Sequence, residues 1–228
     1  ATDTYAFTGK VTHKGDPASV TKNQVEKVLH SFLGSVLQVP PMHSALKYEG
    51  KRLYRLAREG VEVPRKPREV TFHSIQLLHC QLPILSIEVE CSAGTYIRSL
   101  AQDIGLALGC GAHLKKLVRL KSEPFSIDEA IPLHLIEKAD HPQHWQRFLY
   151  PIDEVLLGWE AVILDKQSER KVLQGRSISL EDIDFRGGPC NRCRAYSVEG
   201  QFLAVLSSEE NNLWHPDKVF RSSGCSSL

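Results

Sequence analysis

Along Leu85, Ile87, Val89 and Cys91 apolar residues alternate with Ser86, Glu88 and Glu90, the period of two that marks a strand with one buried face. Downstream the period lengthens. Ile97, Leu100, Ala101, Ile104 and Leu108 fall on one helical stripe, and Gly109 is a natural stop after its last turn. Earlier, Thr21 reads as an N-cap ahead of a stripe of Val25, Val28, Leu29, Phe32 and Leu33 that Gly34 closes. Residues 1–21 alternate loosely around Gly9, Gly15 and Pro17, which predicts strand and turn. VTFHSIQLLHC and LSIEVEC read as consecutive strands. CGAHLKKLVRLKSEPFSIDEAIPLHLIE predicts strand, turn, then a helix from near Ser126 with Asp128 and Glu129 in its first turn.

From about Pro151 the character changes. AVILD, RSISL, CRAYSV and QFLAVLS are short strand-like runs separated by Gly175, Gly187, Gly188 and Gly200, predicting a small β-rich terminal domain over 151–220. It follows a main domain over 1–150 whose end, 138–150 with His141-Pro142, is a polar linker, and it precedes a disordered tail over 221–228.

At 228 residues, 42% hydrophobic and 24% charged, the composition is ordinary for a globular protein that buries a real core. A net charge of +1 excludes a wholly basic nucleic-acid coat but leaves room for a local patch. No apolar run approaches a membrane span and no signal segment opens the chain, so a cytoplasmic location is expected. The six cysteines lack framework spacing, which favours thiols over disulfides. Cys190 and Cys193 form a lone CxxC; without a second ligand pair it reads as loop cysteines ahead of a zinc or redox site, and no metal is expected. His141 and His144 suggest a surface loop rather than a ligand set.

Charge does change the picture between residues 38 and 70. Lys47, Lys51, Arg52, Arg55, Arg58, Arg65, Lys66 and Arg68 face only Glu49, Glu59, Glu62 and Glu69, and Tyr48 and Tyr54 are interleaved with them. A solvated loop is the ordinary reading of such a run. Against it, a connection this long has a job in most compact domains, and cations interleaved with aromatics suit a surface that tracks phosphates and packs on sugars or bases. LYRLAREG predicts a short helix there, projecting Arg52, Arg55 and Arg58 to nearby sides.

Tyr96 and Arg98 sit where the strand pattern gives way to the helical one. A cation near a helix N-terminus is unfavourable by roughly 0.3–1 kcal/mol unless an anion faces it, so Arg98 calls for an acidic partner. If 94–98 stays extended, the two side chains share a face. By themselves the residues favour the ordinary reading, a half-buried tyrosine and a solvated arginine.

Taken together, VPPMHSALKYEGKRLYRLAREGVEVPRKPREV and CSAGTYIRSLAQDIGLALGCGAHLKKLVRLKSEPFSI are similar to the bacterial tRNA pseudouridine-55 synthases, the tRNA pseudouridine synthase B family. ATDTYAFTGKV, and GRSISL through FLAVLS to WHPDKVF, resemble further blocks of that family in its order. The resemblance implies an α+β fold: a partial pseudouridine synthase core with a mixed or antiparallel sheet, and a small β-rich PUA-like C-terminal domain. It implies an isomerase that flips one uridine of the tRNA T loop out of its stack and converts it to pseudouridine without cofactor or metal. By resemblance Arg98 ion-pairs with the catalytic aspartate, Tyr96 packs near the base and helps remove the C5 proton, and Leu117 borders the uracil. The segment 38–68 corresponds to a thumb-like loop that closes on the T arm, making Lys47, Lys51, Arg52, Arg55 and Arg58 candidate phosphate contacts; Arg176 and Arg194 are weaker candidates in the PUA-like domain.

Two blocks of the family are missing from the 228 residues, the Gly-x-Leu-Asp-x-x-Ala-x-Gly pattern with its aspartate and the Lys-x-Tyr block after it. Three explanations stand: a second polypeptide or complementary N-terminal fragment supplies the aspartate, the chain is an N-terminal truncation that is inactive alone, or it is a non-catalytic remnant. The first two fit the retention of Tyr96, Arg98 and Leu117, and the complete protein is expected to act on tRNA as a monomer. A non-catalytic T-arm-binding or folding module is the alternative. Smaller departures are His43 where the family often has tyrosine and Val118 where it often has arginine.

Overall fold

Thr21 begins the first helix as its sequence predicts, through a complete capping box: its hydroxyl accepts from the Gln24 N–H, and the Gln24 amide accepts from the Thr21 N–H. The computed structural model describes residues 1–138, 146, 148–180, 191–209 and 212–220. His141, His144, Cys190, Cys225 and the expected tail over 221–228 lie outside the described residues. The chain divides into two compact units, Ala1–Val118 and Arg119–Leu228; Pro151, where the composition changes, falls inside the second.

The first unit contains α1 (Lys22–Ser31), β1 (Gly34–Gln38), the short strands β2 (Lys47–Tyr48) and β3 (Lys51–Arg52), α2 (Leu53–Arg58), β4 (Arg68–Gln81), β5 (Ile84–Cys91) and α3 (Ile97–Ala107). β1, β4 and β5 form an antiparallel sheet in that order. Along β5 the residues alternate between exposed and half-buried, with Leu85, Ile87, Val89 and Cys91 turned to the core. That core consists of Val70 and Phe72 from β4, Val25 and Leu29 from α1, and Leu100 and Ile104 from α3, with Val20. Helix-period and strand-period apolar sets thus meet in one layer. Residues 1–20 hold only isolated bridges, Thr2 to Val11 and Ala6 to Leu114, and a 3-10 turn at Pro17–Ser19, rather than the expected strand. Turns interrupt it: Tyr5 takes φ 59° and Pro17 starts the 3-10 turn.

In the second unit the hairpin β6 (Lys121–Ser122) and β7 (Phe125–Ser126) precedes α4 (Leu133–Glu137). The helix expected from Ser126 is a single 3-10 turn, Ile127–Glu129, although Ser126 does cap it by accepting from the Asp128 N–H. Ala130 is already extended, and Pro132 two residues on disfavours helix at Ile131. Phe148, Leu149 and Tyr150, at the end of the stretch read as a polar linker, line an apolar cavity with Phe125 and Ile136.

The remainder is β8 (Ala161–Leu164), α5 (Lys166–Leu173), β9 (Ile178–Ser179), β10 (Arg192–Ser197), β11 (Phe202–Ser208) and β12 (Leu213–Val219). Their sheet runs β8-β10-β11-β12-β9, parallel between β8 and β10 and antiparallel elsewhere, with bulges at Ala195/Tyr196 and Val205/Leu206. Bulges bend strands and sharpen their twist, which curls this sheet around its own core. Val162, Val172, Cys193, Leu203, Leu206 and Trp214 fill that core. Cys193 of the CxxC is therefore a core residue. α5, absent from the sequence reading, is a short helix capped by Asp165 that buries Val172.

Candidate active site

Gly94 at φ 84° turns the chain out of β5, a conformation that side-chain-bearing residues adopt only with strain, and delivers it to the N-terminus of α3. Tyr96 is extended there (φ −101°, ψ 102°) and forms the N-cap. The helix starts one residue later. The expectation of an extended 94–98 therefore fails at both ends and holds at Tyr96, since Gly94 is in a turn at positive φ and Ile97 begins the helix. Ile97 and Arg98 are helical, because the Leu100 N–H bonds the Tyr96 carbonyl and closes the first turn at once.

Three side chains tie this turn to the strip that leaves β1. Gln38, 4% exposed, accepts from the Tyr96 N–H through Oε1 at 2.8 Å and donates through Nε2 to the Tyr96 carbonyl at 3.1 Å. Arg98 donates from Nη2 to the His43 carbonyl at 2.8 Å. Ser99, 2% exposed, donates to the Val39 carbonyl at 3.0 Å. No carboxylate among the described residues forms an ion pair with Arg98, so the acid its position calls for is replaced by a backbone oxygen in this chain. That carbonyl uses one of the five guanidinium N–H donors.

The basic segment is an excursion with both ends on one rung of the sheet, since Gln38 of β1 pairs with Arg68 of β4. It has a small core of its own, Met42, Leu53 and Leu56, with Leu46, Tyr48, Ala57 and Val63 packed on it. β2 and β3 are joined by a two-residue turn, Glu49 and Gly50, both at positive φ. This hairpin places Lys47 directly opposite Arg52, a like-charge pairing that is unfavourable across a ladder. Lys47, Lys51, Arg52, Arg55 and Arg58 are all exposed. The Arg58 guanidinium lies 5.6 Å from the Tyr54 ring centre, and a hydrogen bond with Arg55, helped by the charges of Arg52 and Arg58, holds the Tyr54 phenol below its ordinary pKa. Arg65 is different. It donates to the Pro40 carbonyl at 3.2 Å and pairs with Glu62, bracing the base of the excursion.

Leu117 lies beyond α3 on a segment anchored at Leu114, whose N–H and carbonyl bond Tyr5 and Phe7. Leu117 is 59% exposed. Val118 is also exposed. In the second unit Arg176 is exposed, whereas Arg194 donates to the Trp159 and Leu157 carbonyls and to the Tyr196 hydroxyl, which in turn donates to Asp153. Arg194 is thus a structural brace. Among the described residues no group of three or more His, Cys, Asp or Glu is placed to hold a metal ion, and no helix is long and apolar enough to cross a membrane.

Gln38 and Ser99 were not singled out from the sequence. A buried serine on an apolar helical stripe is a faint signal, and a glutamine ending a strand before Val-Pro-Pro is fainter.

Residues 1–97 match the N-terminal domain of the TruB family pseudouridylate synthases, and residues 98–160 match the tRNA pseudouridylate synthase B C-terminal domain. The chain is 39% identical over 221 residues to the tRNA pseudouridine synthase B of a Dehalococcoides mccartyi strain, covering 97% of this chain and 72% of that protein. It is 41% identical over 231 residues to that of Syntrophomonas wolfei, covering 97% and 74%. Among solved structures it resembles a Cbf5-Nop10-Gar1 complex (TM-score 0.66, 22% identity) over 92% of this chain and 63% of that one, and an H/ACA RNP bound to a substrate RNA containing 2'-deoxyuridine (TM-score 0.62, 19% identity) over 92% and 63%. The chain thus spans a little under two thirds of those solved chains. Matched by the two domain models in succession over residues 1–160, and about 40% identical to these curated synthases over nearly its whole length, the chain belongs to the TruB family of pseudouridylate synthases.

Proposed function

We propose that this chain provides the tRNA-binding and uridine-holding part of a cytoplasmic enzyme that isomerises uridine 55 of the tRNA T loop to pseudouridine, with the catalytic aspartate supplied by residues upstream of Ala1. The observation that carries the reading is the set of hydrogen bonds that fasten Tyr96, Arg98 and Ser99 to residues 38–43, the root of the cation-bearing excursion. RNA-binding surface and chemical groups are thereby one assembly.

In the reaction the N1–C1′ bond breaks, the uracil turns, and C5 bonds to C1′; the C5 proton leaves and N1 takes up a proton. Arg98 keeps the incoming carboxylate ionised through the guanidinium donors that His43 does not occupy. Tyr96 lies against the flipped base and assists loss of the C5 proton, and the exposed Leu117 becomes the apolar border of the uracil when the site is complete. Lys47, Lys51, Arg52, Arg55 and Arg58 grip the T-arm backbone, and the curled second-unit sheet serves as the PUA-like RNA-binding domain.

Release of tritium from C5-labelled uridine in tRNA by the protein expressed from its complete gene tests this. Release above background is expected. Tight T-arm binding without release would instead make the protein a non-catalytic binding or folding module.

A further inference from the structure

Tyr96 stands between the turn at Gly94 and the first helical residue: its C=O takes the first intrahelical bond, from the Leu100 N–H, and keeps a second lone pair, while its N–H looks away from the helix it caps. Buried peptide groups must still be paired. Gln38 accepts from the N–H and gives the C=O a second donor beside Leu100, with one neutral amide that offers an acceptor and a donor at the same time, and it does so across 58 residues of sequence. It is also the last residue of β1, on the rung from which the excursion departs. The next contacts along the same strip, Val39 with Ser99 and His43 with Arg98, run in parallel with it.

We propose that Gln38 is a positioning residue for the isomerisation: its carboxamide sets the backbone of Tyr96, and hence the phenol, and makes correct seating of the RNA-gripping excursion a condition for an assembled site. This rests on the function proposed above. Displacement of the strip over 38–43 would shift Tyr96, Arg98 and Ser99 together, so engagement of RNA by the excursion is felt at the reacting base. A shift of about 1 Å in such a group costs on the order of a hundredfold in rate.

The donor-plus-acceptor pattern is what the test must isolate, because any buried glutamine can matter for stability. Gln38→Met removes the pattern at every pH. Gln38→Glu restores it only when protonated: the neutral carboxyl donates to the Tyr96 carbonyl and accepts from its N–H, whereas the ionised form turns an oxygen toward another oxygen. Burial raises the pKa of such a carboxyl, which brings the protonated form into an accessible range.

In the complete protein, single-turnover pseudouridine formation at saturating tRNA at about pH 8 should fall roughly 10- to 100-fold in both variants, with T-arm affinity within about threefold of wild type. Toward about pH 5.5 the Gln38→Glu rate should climb to within roughly threefold of wild type at the same pH while Gln38→Met stays low. A Gln38→Met rate within about threefold of wild type, or a Gln38→Glu defect unchanged across that pH range, overturns the proposal. If Gln38→Met does not fold, the pH response of Gln38→Glu decides alone. An inactive wild-type protein overturns the proposed function and this inference with it; an active wild type with indifferent variants overturns only the inference.

Discussion

Removing Arg52 and Arg55 together, as the double variant Arg52→Ala, Arg55→Ala, should weaken tRNA binding in a way whose salt dependence counts the lost contacts. Five exposed cations, Lys47, Lys51, Arg52, Arg55 and Arg58, crowd the hairpin and α2, and Lys47 opposes Arg52 across the ladder. Such crowding is relieved when phosphates face it. Each phosphate neutralised steepens the log–log dependence of affinity on salt by about 0.7–0.9. Contact by all five gives a slope of roughly −3.5 to −4.5, and loss of two makes it shallower by about 1.4–1.8. Between about 50 and 200 mM salt, the affinity ratio of wild type to variant should therefore shrink by about tenfold. Titration of a labelled T-arm RNA at four salt concentrations measures this, and single-turnover rate at saturating RNA should be nearly unchanged. Parallel salt lines for the two proteins would refute the phosphate assignment. So would a rate loss at saturation as large as the affinity loss.

Arg98→Ala is expected to abolish turnover while leaving T-arm affinity within about threefold, since in the proposed function its remaining donors hold the catalytic carboxylate rather than a phosphate; equal loss of both in paired binding and rate assays would argue against that role. Gly105→Ala should destabilise the fold by about 1–3 kcal/mol or more in urea unfolding, because a Cβ there would sit 2.0 Å from the Ala112 backbone nitrogen and 2.4 Å from the Gly111 carbonyl carbon. Burial raises the Asp103 carboxyl above its ordinary value. A raised acid favours the folded state only while protonated, so Asp103→Asn should stabilise the chain at neutral pH, with the gain shrinking as pH falls through the folded value toward the unfolded one; thermal melts across that range check the sign.

The elements most legible in the sequence are those whose partners are near neighbours or a single solvent-facing surface. β5 alternates because one side of its sheet is wet, and α1 begins at Thr21 because its cap needs only Gln24. The excursion was legible as a charge anomaly. Its small core of Met42, Leu53 and Leu56 was not, since three apolar residues among eight cations carry no period. The helix expected from near Ser126 starts there with a Ser126 cap, but Pro132 limits it to a single 3-10 turn. α5 was overlooked because an eight-residue helix needs to bury little besides Val172. At the site, Tyr96 and Arg98 stood out by chemistry and resemblance, whereas Gln38 did not. A side-chain amide that completes the backbone of a residue 58 positions away has no local signature.

The shared rung of Gln38 and Arg68 also bears on how such a chain can change in length. Both ends of the excursion are pinned side by side in the sheet, so its contour can lengthen or shorten at the Glu49–Gly50 tip without altering the closure that the sheet imposes. Doubling a loop costs only about 0.6 kcal/mol in closure entropy. An insertion at the tip would therefore extend the excursion at little cost while leaving the strip from Gln38 to His43, and the geometry it gives Tyr96, as it is.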